Sequence, residues 1–88
     1  MLYPIFSYDD GTEVTASKPD ENGKVLLYIE KFDVLKDEFI NATFMLPNIE
    51  IKTSYGYNEQ ELEKMKKKYS EIQDDIMDYI IEKVKKSA

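Results

Sequence analysis

The chain has 88 residues, with 18 acidic against 12 basic side chains and a net charge of −6, and it contains no Cys, His, Arg or Trp. Without cysteine or histidine, disulfides, thiolate chemistry and the usual structural zinc sites are excluded. The negative charge repels phosphate backbones and no arginine can pair bidentately with guanine, so nucleic-acid binding is disfavoured.

The first predicted element is a β-hairpin. Residues 3–8 and 12–17 are β-prone runs on either side of Asp9-Asp10-Gly11. An Asp-Gly turn between such runs is the strongest short-range hairpin signal. Residues 18–23, which contain a proline and a glycine, then predict a loop.

Residues 25–32 predict an interior strand, because both of its faces carry apolar side chains. Residues 33–37 predict a polar turn. Residues 39–46 predict a further strand, whose core face we assign to Ile40, Ala42, Phe44 and Leu46. After a break at Pro47-Asn48, residues 49–55 alternate between two faces. We expect a buried face of Ile49, Ile51, Thr53 and Tyr55, and a water-exposed face of Glu50, Lys52 and Ser54.

Residues 58–86 predict one long amphipathic helix. Asn58 and Glu61 have the spacing of a capping box, which satisfies free N–H groups at a helix start. An apolar stripe follows at alternating spacings of three and four: Leu62, Met65, Tyr69, Ile72, Ile76 and Tyr79. The stripe can pack on the sheet or form a helix–helix seam. Packing on the sheet is favoured for its first half, because a β–α domain needs such a cover.

The predicted helix is longer than the sheet it covers. It would span about 43 Å, whereas a seven-residue strand spans about 23 Å. Either the helix bends near Asp74-Asp75, or its far end packs on a second subunit. The wide apolar arc of that end predicts a homodimer. The predicted interface is Ile76, Tyr79, Ile80, Ile81 and Val84.

These elements predict a single α+β domain over residues 1–88. Residues 1–57 form an antiparallel sheet of four or five sequential, hairpin-connected strands, and the helix covers one of its faces. The predicted core is Ile5, Val14, Leu27, Ile29, Ile40, Phe44, Ile51, Leu62, Met65, Tyr69, Ile72 and Ile76.

Catalysis is disfavoured by the residues available. Adjacent carboxylates could act as acid and base, but the pairs fall in predicted turns or on the polar helix face. These pairs are Asp9-Asp10, Asp20-Glu21, Asp37-Glu38 and Asp74-Asp75. No histidine can activate a hydroxyl, and no glycine-rich phosphate loop is present. We therefore expect a non-enzymatic protein with no cofactor and no metal.

The sequence also predicts where the protein works. It has no basic, apolar leader and no run of eighteen apolar residues, so we expect a cytoplasmic protein that does not enter membranes. The composition is typical of a protein from an AT-rich genome, because Lys, Ile, Asn and Tyr are frequent and Arg is absent. We interpret the source as bacterial.

Residues 39–63 resemble the HicB-type antitoxin domain. The shared features are a strand ending near a Phe and a Leu-Pro, a short second strand, a Gly and an acid-rich helix start. Tyr3-Pro4 with Asp10-Gly11 is similar to that family's first hairpin. The chain departs from the family in four ways. Asn48 stands where Gly is usual, and the Pro-Asp that usually precedes the Leu-Pro is absent. The helix is longer, and no DNA-binding segment follows it. The resemblance implies a small domain that binds a toxin by its surface.

Two functions follow as expectations. The first is a non-enzymatic protein-interaction module that homodimerises through its helix. The alternative is an antitoxin-like or inhibitor protein whose acidic sheet face, within residues 1–57, binds a basic protein partner. That part of the chain carries ten acidic side chains against five lysines.

Overall fold

Residues 2–87 are described by a computed structural model, in which five strands are followed by one helix. The elements are β1 (Leu2–Ser7), β2 (Glu13–Ser17), β3 (Val25–Asp33), β4 (Glu38–Leu46), β5 (Glu50–Tyr55) and α1 (Glu59–Ser87).

The sheet follows the order of the chain, β1-β2-β3-β4-β5, and every neighbouring pair is antiparallel. The predicted α+β fold is therefore confirmed, with β3 as an interior strand. Short turns make this order possible. In the first turn, the Tyr8 N–H donates to the Thr12 carbonyl at 2.9 Å, and Gly11 takes a φ of +90°, which a residue without Cβ adopts at little cost.

The core lies between one face of the sheet and α1. The sheet contributes buried Tyr3, Val14, Ala16, Val25, Leu27, Ile29, Ile40, Ala42, Phe44, Leu46 and Ile49, and the helix contributes buried Tyr69, Ile76 and Ile80. The remaining predicted core residues are partly buried and pack against this cluster: Ile5, Ile51, Leu62, Met65 and Ile72. The predicted core face of β4 is confirmed at all four positions.

Strand β5 departs from the predicted alternation because it contains a bulge at Lys52. Ile51 lies opposite Phe44 on the core face, but beyond the bulge the register has shifted by one residue. One extra residue moves every later side chain to the other face of a strand. Thr53 and Tyr55 therefore lie on the face away from α1, and the prediction that they share a face with Ile51 is wrong. A similar register shift interrupts β1 between Pro4 and Phe6.

Helix α1 begins with the predicted capping box. The Asn58 N–H donates to Glu61 Oε1 at 2.9 Å, and the Glu61 N–H donates to Asn58 Oδ1 at 2.8 Å. The helix continues without a break through Asp74-Asp75, and its 29 residues correspond to the 42 Å long axis of the molecule. Strands β3 and β4 have nine residues each. They reach about 30 Å, so more of the helix is covered than seven-residue strands would allow.

Replacing Asn58 with alanine should lower the free energy of unfolding by about 1 kcal/mol, because the Glu61 N–H loses its acceptor. Urea denaturation followed by circular dichroism measures this loss. Gln60→Ala, at an exposed position in the same turn, serves as the control and should change stability by less than about 0.5 kcal/mol. A loss at Asn58 no larger than that of the control would contradict the capping role.

Candidate protein-interaction surface

The face of the sheet turned away from α1 is not covered by any helix or strand of residues 2–87. The pairing register places a row of Thr15, Tyr28, Thr43 and Thr53 across it. Leu26 pairs with Met45 in the neighbouring row, also on this face. We call this surface, formed by the outward side chains of β2 to β5, the outer face. Its centre combines threonine side chains with Leu26, Tyr28 and Met45, and all of these are half-buried except Thr53, which is exposed.

The outer face is acidic. Glu13 and Glu30 are exposed and lie directly opposite each other on β2 and β3. Like charges in this arrangement destabilise a sheet. Ser7 Oγ donates to the Glu13 carboxylate, but neither Glu13 nor Glu30 forms an ion pair with a lysine in the described chain. The unmatched pair therefore favours a cation from outside the molecule.

The turn between β3 and β4 carries two exposed aliphatic side chains. Val34 and Leu35 have exposed fractions of 80% and 98%. The turn is ordered by Asp33, whose Oδ1 accepts hydrogen bonds from the Leu35 N–H at 3.0 Å and the Lys36 N–H at 3.2 Å. We call residues 33–37 the hairpin tip. A turn was predicted here correctly, but its outermost side chains are apolar instead of polar.

Phe32 and Phe39 connect the hairpin tip to the outer face. The two residues pair across β3 and β4, and their rings meet edge to face with centroids 5.1 Å apart. Lys36 Nζ donates to the Gly56 carbonyl at 2.9 Å, which attaches the tip to the end of β5. The exposed Phe32 and Phe39 rings thus lie between the tip and the rest of the outer face along the strand register.

Tyr55 extends the same surface along the edge of the sheet. Its side chain is 55% exposed, and its hydroxyl donates to Glu38 Oε2 at 2.8 Å. This hydrogen bond, together with the carboxylate charge, raises the pKa of Tyr55 above its usual value. Tyr55 is therefore neutral over an even wider pH range than an ordinary tyrosine, and its ring stays exposed.

The residues predicted to form a helical interface do not lie on one exposed patch of the chain. Ile76 and Ile80 are buried in the core, with exposed fractions of 3% and 0%, and Val84 packs against it. Tyr79 and Ile81 remain exposed, at 42% and 40%. A homodimer interface on α1 stays a prediction that now depends on these two side chains.

One carboxylate in each of the pairs Asp9-Asp10 and Asp20-Glu21 has a structural partner within its turn. Asp10 Oδ1 accepts from the Thr12 N–H at 2.9 Å, and this hydrogen bond lowers the pKa of the Asp10 carboxyl. Asp20 Oδ1 likewise accepts from the N–H groups of Asn22 and Lys24. No group of three or more carboxylates within the described residues is placed to hold a metal ion.

Comparison with protein-family models, curated proteins and solved structures gave no match to this chain. The resemblance of residues 39–63 to the HicB-type antitoxin domain therefore stays a prediction. In the described part of the chain, no helix is long and apolar enough to cross a membrane.

Proposed function

We propose that this chain is a cytoplasmic, non-enzymatic protein-binding module that holds its partner with the outer face and the hairpin tip. The observation that carries the proposal is the exposure of Val34 and Leu35 on a turn that Asp33 holds in place. A turn with no partner would be expected to carry polar side chains, whereas exposed apolar surface rimmed by polar residues is typical of an interaction site. Because hydrogen bonds fix the turn, little entropy is lost when it binds.

The charge around this surface supports a basic partner. Six carboxylates lie on the outer face and at the hairpin end: Glu13, Glu30, Asp33, Asp37, Glu38 and Glu50. The nearby lysines are already engaged, Lys36 with the Gly56 carbonyl and Lys52 with Glu50 at 3.8 Å. A second copy docked face to face would oppose carboxylates to carboxylates. We therefore infer a different protein, with an apolar pocket for Leu35 and a rim of lysine or arginine.

Affinity capture from a lysate of the source organism tests the proposal. The immobilised wild-type chain should retain a basic protein, identified by mass spectrometry. Val34→Ser/Leu35→Ser and, separately, Glu13→Gln/Glu30→Gln should each reduce its retention at least about tenfold, the loss expected for removing one or two well-buried contacts.

The matched control is Glu63→Gln/Glu71→Gln, which removes two exposed carboxylates from α1 and should leave retention unchanged. Equal retention by all variants would contradict the proposed surface. So would a retained protein that is acidic. A tip variant that instead converted a dimer of this chain to a monomer would identify the occupant as a second copy.

A further inference from the structure

A cleft of about 630 Å³ lies between the first half of α1, the β1–β2 turn and β3. This volume is within the range of small-molecule sites. Tyr8, Tyr57 and Tyr69 line it together with the apolar side chains of Ile29 and Met65. We call it the tyrosine cleft. It is on the helix side of the sheet, so it is separate from the outer face.

Three carboxylates also line the cleft, those of Asp9, Asp10 and Glu61, and the last two have partners within the fold. Asp10 lies 3.5 Å from Lys31 Nζ and also accepts the hydrogen bond from Thr12. Glu61 accepts the Asn58 N–H in the capping box. Lys31 is thus paired with Asp10, whereas no ion pair in the described chain joins Asp9 or Glu61 to Lys64 or Lys68, the two helix lysines of the cleft.

Lys64 and Lys68 both line the cleft and are one helical turn apart. Like charges at this spacing repel each other. Lys68 Nζ lies 4.2 Å from the centroid of the Tyr8 ring, and neither lysine forms an ion pair with any described residue. The helix wall of the cleft therefore carries two ammonium groups without an ion-pair partner, and that of Lys68 lies beside the rings of Tyr8 and Tyr69.

The tyrosine hydroxyls add neutral hydrogen-bonding groups. The Tyr57 hydroxyl is buried and has no hydrogen-bond partner in the described chain, and the Tyr8 and Tyr69 hydroxyls lie 3.3 Å apart. Burial raises the pKa of Tyr57, and the charge of Glu61 raises it further. Burial is also the main cause of the raised pKa of Tyr69, followed by its hydrogen bond with Tyr8. The cleft thus has neutral hydroxyl groups near the ammonium groups of Lys64 and Lys68.

We propose that the tyrosine cleft binds a small organic anion with a planar, apolar body. The anionic group lies between the ammonium groups of Lys64 and Lys68, where it relieves their repulsion. The planar body packs on Met65 and against the rings of Tyr8 and Tyr57, which are only partly buried. Aromatic carboxylates and sulfonates have this chemistry.

Fluorescence titration with 8-anilinonaphthalene-1-sulfonate, an aromatic sulfonate, tests the site. The wild-type chain should bind one dye molecule saturably. Lys64→Gln/Lys68→Gln should weaken binding at least about tenfold, because both ammonium groups are lost. N-phenyl-1-naphthylamine, which has the same ring system without the sulfonate, should bind more weakly and should not respond to this variant.

Two control variants make the test specific. Lys66→Gln/Lys67→Gln removes the same charge from the same helix at positions that do not line the cleft, and should leave the affinity within about twofold. Val34→Ser/Leu35→Ser removes the exposed apolar tip and should have no effect on dye binding. Circular dichroism confirms that each variant is folded.

The proposal is overturned if the Lys64/Lys68 variant binds the sulfonate like the wild type. It is equally overturned if the Lys66/Lys67 control loses as much affinity, since the effect would then come from net charge alone. Loss of binding in the hairpin-tip variant would place the dye at the exposed tip and not in the cleft. These results do not depend on the protein partner, so either proposal can fail without the other.

Discussion

Replacing Gly56 with alanine is expected to lower the free energy of unfolding by about 2–5 kcal/mol, the sum of a strained backbone and an overpacked contact. Gly56 has a φ of +88°, where a side chain is disfavoured. An added Cβ would overlap Ile40 Cγ2 and lie 2.7 Å from Ile40 Cβ. Ile40 is buried and β-branched, so it cannot rotate away easily.

Gly11→Ala provides the matched control for this prediction. Gly11 has a similar φ of +90°, but nothing lies within 4 Å of an added Cβ. The free energy of unfolding of Gly11→Ala should fall only by the cost of the strained backbone, about 1–2 kcal/mol. Urea denaturation of both variants separates the two contributions. If Gly56→Ala cost no more than Gly11→Ala, the close approach of β4 to residue 56 would be refuted.

The second large effect is expected at Ile80. Ile80→Asp should cost more than about 4 kcal/mol, because it removes a fully buried side chain and places a carboxyl group in the core. Small domains are stable by only about 5–15 kcal/mol, so this loss is a large share of the total and should lower the unfolding temperature markedly. Thermal denaturation followed by circular dichroism measures the change.

The neighbouring Ile81→Asp should cost about 1 kcal/mol or less, because Ile81 is 40% exposed. Equal losses of unfolding free energy in Ile80→Asp and Ile81→Asp would show that the helix is rotated from the orientation described.

Ile81→Asp also tests the predicted homodimer. A wild-type dimer and a monomeric variant in sedimentation equilibrium at micromolar concentration would support it, whereas a monomeric wild type would contradict it.

The features that could be predicted from the sequence are those determined by neighbouring residues. The Asp9-Asp10-Gly11 turn and the Asn58 cap each depend on side chains within four positions of one another. The core face of β4 was predictable because its apolar alternation is unbroken from Ile40 to Leu46.

The features that could not be predicted depend on contacts across the sheet. The bulge at Lys52 is a mismatch between β4 and β5, and the alternating residues 49–55 give no sign of it. The burial of Ile80 depends on how far the nine-residue strands β3 and β4 extend, whereas a shorter sheet was assumed.

The acidity of the sheet could be predicted from its composition, but the hairpin tip could not. Three of the five residues from Asp33 to Asp37 are charged, so the segment was predicted to be a polar turn and the exposure of its two aliphatic side chains was not foreseen. The tyrosine cleft could not be predicted either, because it brings together Tyr8 and Tyr69, which are 61 positions apart in the chain. Nothing near either residue in the sequence indicates this pairing.

The order of the elements along the chain has a consequence during synthesis on the ribosome. All five strands are translated before α1, whose 29 residues take roughly 1.5–6 s at about 5–20 residues per second. Until α1 has left the ribosome and folded, the apolar face of the sheet lacks its cover. Both edge strands are irregular: β1 contains Pro4 and a register shift beside it, and β5 contains the bulge. A regular edge strand could pair with a strand of another nascent chain, and these irregularities disfavour that pairing. We expect these irregularities to matter most in the seconds before the helix emerges, when pairing between nascent chains is least hindered.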